Sequence, residues 1–163
     1  MITARTTAVA QTRELAACVA WLCHAGDLLV LMGDLGAGKT AFSQGFGAAI
    51  GVSQPITSPT FTLANEYEGD RLLLHHLDVF RLEQLDEVRD LALAELLDGE
   101  SVTLTEWGNN IPRSLPNDYL EVEFTFGETY DDRELGLRCV GAPWSARSGA
   151  LLAAVGAWVG ETC

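Results

Sequence analysis

Lysine is nearly missing from this 163-residue chain: Lys39 stands alone beside nine arginines. Basic residues are scarce as a class, 10 against 23 acidic ones, for a formal net charge of −13. Nucleic-acid binding draws on a basic face that neutralises phosphates. A chain this acidic has little material for one, so direct binding of DNA or RNA by the chain alone is not expected. Long apolar runs are lacking as well. The C-terminal run, Ala150 to Val159, is broken by Gly156, whereas a spanning helix needs about 20 apolar residues. No membrane association is expected. Met1 to Arg5 leads into polar residues and not into the apolar core of a secretory leader, so a cytoplasmic location is expected. The four cysteines, Cys18, Cys23, Cys139 and Cys163, show no Cys-x-x-Cys spacing and no histidine at zinc-finger distance. In a reducing compartment they read as free thiols.

What is present follows an α/β pattern. Apolar content is 48% and charged content 20%, as in ordinary globular domains, and the length suits a single domain over residues 1–163. Residues 12–24 carry apolar groups at helical spacing, with Thr12 in the N-cap position. The unbroken run Asp27 to Met32 reads as a central strand buried on both faces. Thr40 to Ile50 reads as a helix closed by Gly51, and Ser53 to Pro59 as loop. Two strands, Phe61 to Tyr67 and Arg71 to Leu77, flank the turn Glu68-Gly69-Asp70. Leu82 to Leu97 is amphipathic and helical, ending at Gly99. Ser101 to Thr105 is a short strand, Asn110 to Leu115 irregular. Tyr119 to Phe126 and Glu134 to Val140 form a hairpin, and Ser145 to Val159 a closing apolar helix. The order predicts a phosphate-loop NTPase-like α/β fold in three layers, with a mixed, partly parallel sheet flanked by helices.

Between the buried strand and the next helix stands Gly33-Asp34-Leu35-Gly36-Ala37-Gly38-Lys39-Thr40, which fits G-x-x-x-x-G-K-[ST]. Strand before and helix after are the setting this motif requires. Backbone N–H groups from Leu35 to Thr40 would converge on a β-phosphate, reinforced by the helix N-terminus. Lys39 would bridge β- and γ-phosphates, and the Thr40 hydroxyl would ligate Mg²⁺. The lone lysine falls where a compact ammonium fits and a broad guanidinium does not. Such a loop needs acidic partners at the carboxyl ends of neighbouring strands. Asp78 and Glu106 end apolar runs and fit that place. Guanine recognition by an Asn-Lys-x-Asp segment is impossible with Lys39 as the one lysine, so ATP is favoured by elimination. A small-molecule kinase would carry an arginine-rich lid, and no such insertion stands out. Arg81 is the best-placed candidate for an arginine finger.

Ser58-Pro59-Thr60-Phe61, His76-Leu77-Asp78-Val79-Phe80-Arg81 and Glu106-Trp107, all downstream of the glycine-rich loop, resemble the TsaE family. The similarity runs from about Leu15 to Glu134. These are bacterial ATPases of tRNA threonylcarbamoyladenosine biosynthesis that work with TsaB and TsaD. The resemblance implies that ATP binding and hydrolysis here drive or reset a tRNA-modifying complex. It implies that Thr40 and Glu106 hold Mg²⁺ and that Asp78 is the Walker B acid. Ser58 and Thr60 map to a switch segment near the γ-phosphate, and Arg133 to an arginine beside the nucleotide. Two positions depart from the usual pattern: Phe80 replaces a common tyrosine, and His75 stands where tyrosine is frequent. Strand alternation sends His75 and His76 to opposite faces. The resemblance implies that His76 supports Asp78 or the γ-phosphate side. Trp107 reads equally as a core residue or a wall of the site.

Overall fold

The computed structural model describes residues 1–59, 64–78, 99–107 and 115–160. Seven strands form one mixed sheet in the order β1-β7-β6-β2-β5-β4-β3. They are β1 (Ile2–Thr6), β2 (Leu28–Met32), β3 (Ala64–Glu68), β4 (Leu73–Asp78), β5 (Ser101–Trp107), β6 (Tyr119–Phe126) and β7 (Arg133–Val140). The apolar run read as a central strand is the middle of the seven, with Leu28 to Leu31 all buried. It lies parallel to β5 on one side and β6 on the other, and β4 continues the parallel set beyond β5. The three remaining pairings, β1 with β7, β6 with β7 and β3 with β4, are antiparallel. Strands β2, β5 and β4 therefore end at the same edge, which places the glycine-rich loop, Glu106 and Asp78 together.

Helices α1 (Val9–Ala20), α2 (Lys39–Ala49), α3 (Ala142–Ala146) and α4 (Ser148–Val155) are the described helices. Leu15, Ala16 and Val19 of α1, Phe42 and Phe46 of α2, and Leu151 and Val155 of α4 bury one face of the sheet. There they meet Leu29, Leu31, Leu104, Leu120 and Val122 in one apolar core. Phe42 also packs edge-on against Phe124, ring centroids 5.6 Å apart. On the other face Leu28, Val30 and Leu77 form a smaller buried cluster with Met32, Leu115 and Tyr119. Among the described residues, no helix is long and apolar enough to cross a membrane.

Three local features depart from the sequence reading. Helix α1 begins at Val9, so Thr12 is no N-cap; it lies inside the helix, buried, with its hydroxyl 2.8 Å from that of Thr6. Strand β1 carried too short a pattern to be read, yet it pairs with β7 along its whole length. The closing apolar helix is broken. Helices α3 and α4 meet at Arg147, and a 3₁₀ turn, Gly156–Trp158, follows. The predicted helix 82–97 lies outside the described residues.

At the break between α3 and α4, the Arg147 guanidinium turns inward to grip Asp27 with two hydrogen bonds, Nη1 to Oδ2 at 2.6 Å and Nη2 to Oδ1 at 2.8 Å. Nη1 also donates to the Leu22 carbonyl at 3.0 Å. The same group stacks 3.9 Å above the Trp144 ring, and both charged side chains are largely buried. Removing one partner of such a pair strands the other, a cost of about 3–5 kcal/mol. Urea denaturation of Arg147→Ala is expected to show a loss of that order. A loss below about 1 kcal/mol, the value of an exposed pair, would show the pair to be dispensable. Cys18, Cys23 and Cys139 are free thiols. Burial, then the neighbouring Asp27 carboxylate, push the Cys23 thiol up, and burial does the same at Cys139, so neither offers a thiolate at neutral pH.

Candidate functional site

The loop between β2 and α2 owes its shape to its glycines. Gly33 has φ of +148°, and a Cβ there would sit 2.7 Å from the Phe124 carbonyl oxygen of β6. Only glycine lets the chain leave β2 so close to a neighbouring backbone. Gly38 caps α2 in the left-handed region at φ +114°. Within the loop the Ala37 N–H donates to the Asp34 carbonyl at 3.0 Å, and the Phe42 N–H to the Gly38 carbonyl at 3.0 Å. Ala37 is buried, whereas Asp34, Leu35 and Gly36 are exposed at the tip. Lys39 opens α2, and its ammonium donates to the carbonyls of Gly33 and Asp34, the latter at 3.0 Å. It lies back across the loop at the N-terminus of α2. Thr40 is the next residue, half-buried in the first turn.

Arg133 braces this loop from the hairpin side. Its Nε donates to the Ala37 carbonyl at 3.0 Å and its Nη2 to the Gly36 carbonyl at 3.2 Å. Its Nη1 donates to the carbonyls of Tyr130 at 2.7 Å and Asp132 at 2.8 Å. The guanidinium lies 4.8 Å from the centre of the Phe126 ring. The arginine expected beside a nucleotide thus sits against the loop, with donors on four backbone carbonyls.

Across the loop lie the two carboxylates. Asp78 and Glu106 occupy paired positions at the ends of β4 and β5, and each is about 8% exposed. Their strands place them on the sheet face that α2 covers. His76, two residues before Asp78 on that face, is fully buried. Its Nε2 lies 3.0 Å from Glu106 Oε1 and 3.4 Å from the Ser43 hydroxyl of α2. His75 faces the other way, between Glu66 at 2.8 Å and Ser101 at 2.9 Å, and joins β3, β4 and β5. Trp107 ends β5 in register with Met32. Ser58 is half-buried in the loop before β3. Thr60, Phe80 and Arg81 lie outside the described residues. Two participants escaped sequence reading. Ser43 falls one turn after Lys39 in a spacing common to every helix, and Phe124 meets Gly33 only through the β2–β6 pairing.

Residues 6–135 match the family described as "Threonylcarbamoyl adenosine biosynthesis protein TsaE". The chain belongs to the TsaE family. The tRNA threonylcarbamoyladenosine biosynthesis protein TsaE of Bacillus subtilis is 40% identical over 137 residues, covering 84% of this chain and 85% of that protein. Its Streptomyces coelicolor counterpart is 39% identical over 147 residues, covering 86% and 99%. In three dimensions the chain resembles the crystal structure of Bacillus subtilis YdiB, with a TM-score of 0.76 and 33% identity. That match covers 93% of this chain and 95% of the other. TsaE membership places the protein in tRNA threonylcarbamoyladenosine biosynthesis.

The donor set suits a hard cation. A threonine hydroxyl and two carboxylates are oxygen ligands, and Mg²⁺ is held by few such groups while keeping part of its water shell. Two nearly buried carboxylates side by side also carry charge that a cation would offset. Among the described residues no group of three or more His, Cys, Asp and Glu side chains is placed to hold a metal ion.

Proposed function

We propose that this protein is a Mg²⁺-dependent ATPase of the cytoplasm that binds ATP in the loop from Gly33 to Thr40. It acts with a TsaB–TsaD-type pair in the threonylcarbamoyl modification of tRNA. The observation that carries this reading is the meeting, at one sheet edge, of a glycine-shaped loop at a helix N-terminus with the paired carboxylates Asp78 and Glu106. Anionic phosphates fit the N–H groups of the loop, and the Lys39 ammonium shifts from backbone carbonyls to phosphate oxygens. Thr40, Glu106 and Asp78 would hold the metal, which supplies charge neutralisation at the transferring phosphoryl group. Glu106 or Asp78 orients the attacking water. Ser58 and Thr60 belong to the segment that reports the γ-phosphate, and Arg133 and Trp107 border the nucleotide.

The acidic surface gives this reading a second consequence. With a net charge of −13, the isolated chain repels a polyanion at long range. It therefore reaches tRNA through proteins that contact the RNA themselves. Filter binding at physiological salt is expected to show no retention of tRNA by this protein alone. Pull-down with a TsaB–TsaD-type pair is expected to succeed and to differ between ATP and ADP. Tight tRNA binding by the isolated chain, or no association with the pair in either nucleotide, would overturn the reading in favour of a small-molecule kinase.

A further inference from the structure

We propose that His76 is a positioning residue for Glu106, donating from Nε2 to hold that carboxylate in one orientation under the first turn of α2. The inference rests on the reading of Glu106 as the metal-binding and water-orienting carboxylate. Its geometric basis is the pattern of donors and acceptors around one buried ring. Ser43 has a single proton, and the hydroxyl gives it to the Lys39 carbonyl at 2.9 Å. Toward His76 the hydroxyl can therefore offer only a lone pair. Glu106, as a carboxylate, also only accepts. Among the described residues, both groups within reach of Nε2 are acceptors, at 3.0 Å and 3.4 Å, so Nε2 carries the proton. The buried Nδ1 atom has no hydrogen-bond partner among the described residues. A bare lone pair there costs less than a buried N–H without an acceptor would.

The result is a directional chain. The Lys39 carbonyl accepts from Ser43, Ser43 accepts from His76, and the same His76 N–H is shared with Glu106. It ties the backbone of the residue proposed to hold phosphate to the carboxylate proposed to hold metal. Oε1 of Glu106 is taken by the ring, so Oε2 remains for the chemistry. Nothing in this role asks His76 to touch substrate. Groups that fix a ligand carboxylate from behind are worth about 10–100-fold in metal affinity or activity.

The first test needs no ligand. In the ¹⁵N-histidine-labelled full chain, long-range proton–nitrogen correlation should show the His76 proton on Nε2; a bare Nε2 with the proton on Nδ1 would overturn the proposal. The second test uses variants. Glutamine can place an amide N–H where Nε2 stands, whereas asparagine falls short and leucine has no donor. His76→Gln should retain most turnover. His76→Asn and His76→Leu should lower kcat on the order of 10-fold or more, with the KM for ATP little changed and Mn²⁺ affinity in the presence of ADP reduced in parallel. In a Glu106→Gln background, the same changes should add no further loss. Equal losses in both backgrounds, or Gln as damaging as Asn, would mean that His76 only fills space. If His76→Leu fails to fold, the Gln–Asn pair still decides. A wild-type protein without Mg²⁺-dependent turnover would sink the ATPase reading, and the tautomer measurement would then judge His76 independently.

Discussion

Replacing Lys39 with alanine is expected to abolish measurable MgATP binding while leaving the fold intact. The two halves of that statement have separate causes. Lys39 is half-buried at the start of α2, and among the described residues its ammonium donates to the backbone carbonyls of Gly33 and Asp34. No core side chain depends on it, and alanine is a better helix former than lysine. Thermal unfolding should therefore move little. The proposed phosphate site, by contrast, loses the ammonium that opens α2. Charge-assisted hydrogen bonds are worth about 1.5–3 kcal/mol each. Losing contacts to two phosphates removes roughly 3–6 kcal/mol, or about two to four powers of ten in affinity. Arginine should not rescue. A guanidinium has a fixed planar fork, and here it would have to lie within a loop whose carbonyls already close on a single ammonium. Titration calorimetry of wild type, Lys39→Ala and Lys39→Arg with MgATP checks the set. Affinity unchanged in the alanine variant would remove the lysine from the site and the phosphate reading with it.

The elements that position this site were the ones most legible in the sequence, for a physical reason. A strand buried on both faces leaves an unbroken apolar run, so Leu28 to Leu31 could be placed at the sheet centre before any coordinates. The loop announced itself because its backbone shape demands glycine: Gly33, Gly36 and Gly38 all have positive φ. Hairpins β3–β4 and β6–β7 were legible through alternation and turn residues. What stayed hidden depends on contacts between distant segments. Strand β1 is held by pairing with β7, and its sequence has no apolar run to give it away. The break between α3 and α4 falls at Arg147, which reaches Asp27, 120 residues away in sequence. The brace formed by Arg133 was half visible. An arginine near the nucleotide was expected, but its grip on the carbonyls of Gly36 and Ala37 follows from where the β6–β7 hairpin lies against the loop. Ser43 had no local signature at all, since its partners sit on its own helix and on β4. Family resemblance could name Glu106, but it could not give the side chain that holds it.

Glu106→Gln is expected to cost about 10²–10³ in kcat with a smaller loss of nucleotide affinity. The substitution changes charge at nearly constant shape. The amide oxygen still accepts from His76 Nε2, provided that the amide turns its oxygen toward the ring, so the contact at 3.0 Å survives. On the proposed reading, what disappears is a negative charge beside the metal and the phosphoryl group. The contacts proposed for the nucleotide, to the loop amides, Lys39 and Thr40, would remain, which is why binding should fall less than turnover. A second effect runs in the opposite direction. Asp78 and Glu106 face each other in register on adjacent strands, and like charges so placed destabilise a sheet by up to about 1 kcal/mol. Removing one should therefore raise the unfolding midpoint of the metal-free protein slightly. A functional carboxylate pair maintained against its own repulsion should give both results at once, slower turnover and a more stable fold. A structural carboxylate should leave turnover unchanged. Steady-state kinetics and thermal melts on the same preparation separate the two, and wild-type turnover in the glutamine variant would end the case for Glu106 as a catalytic group.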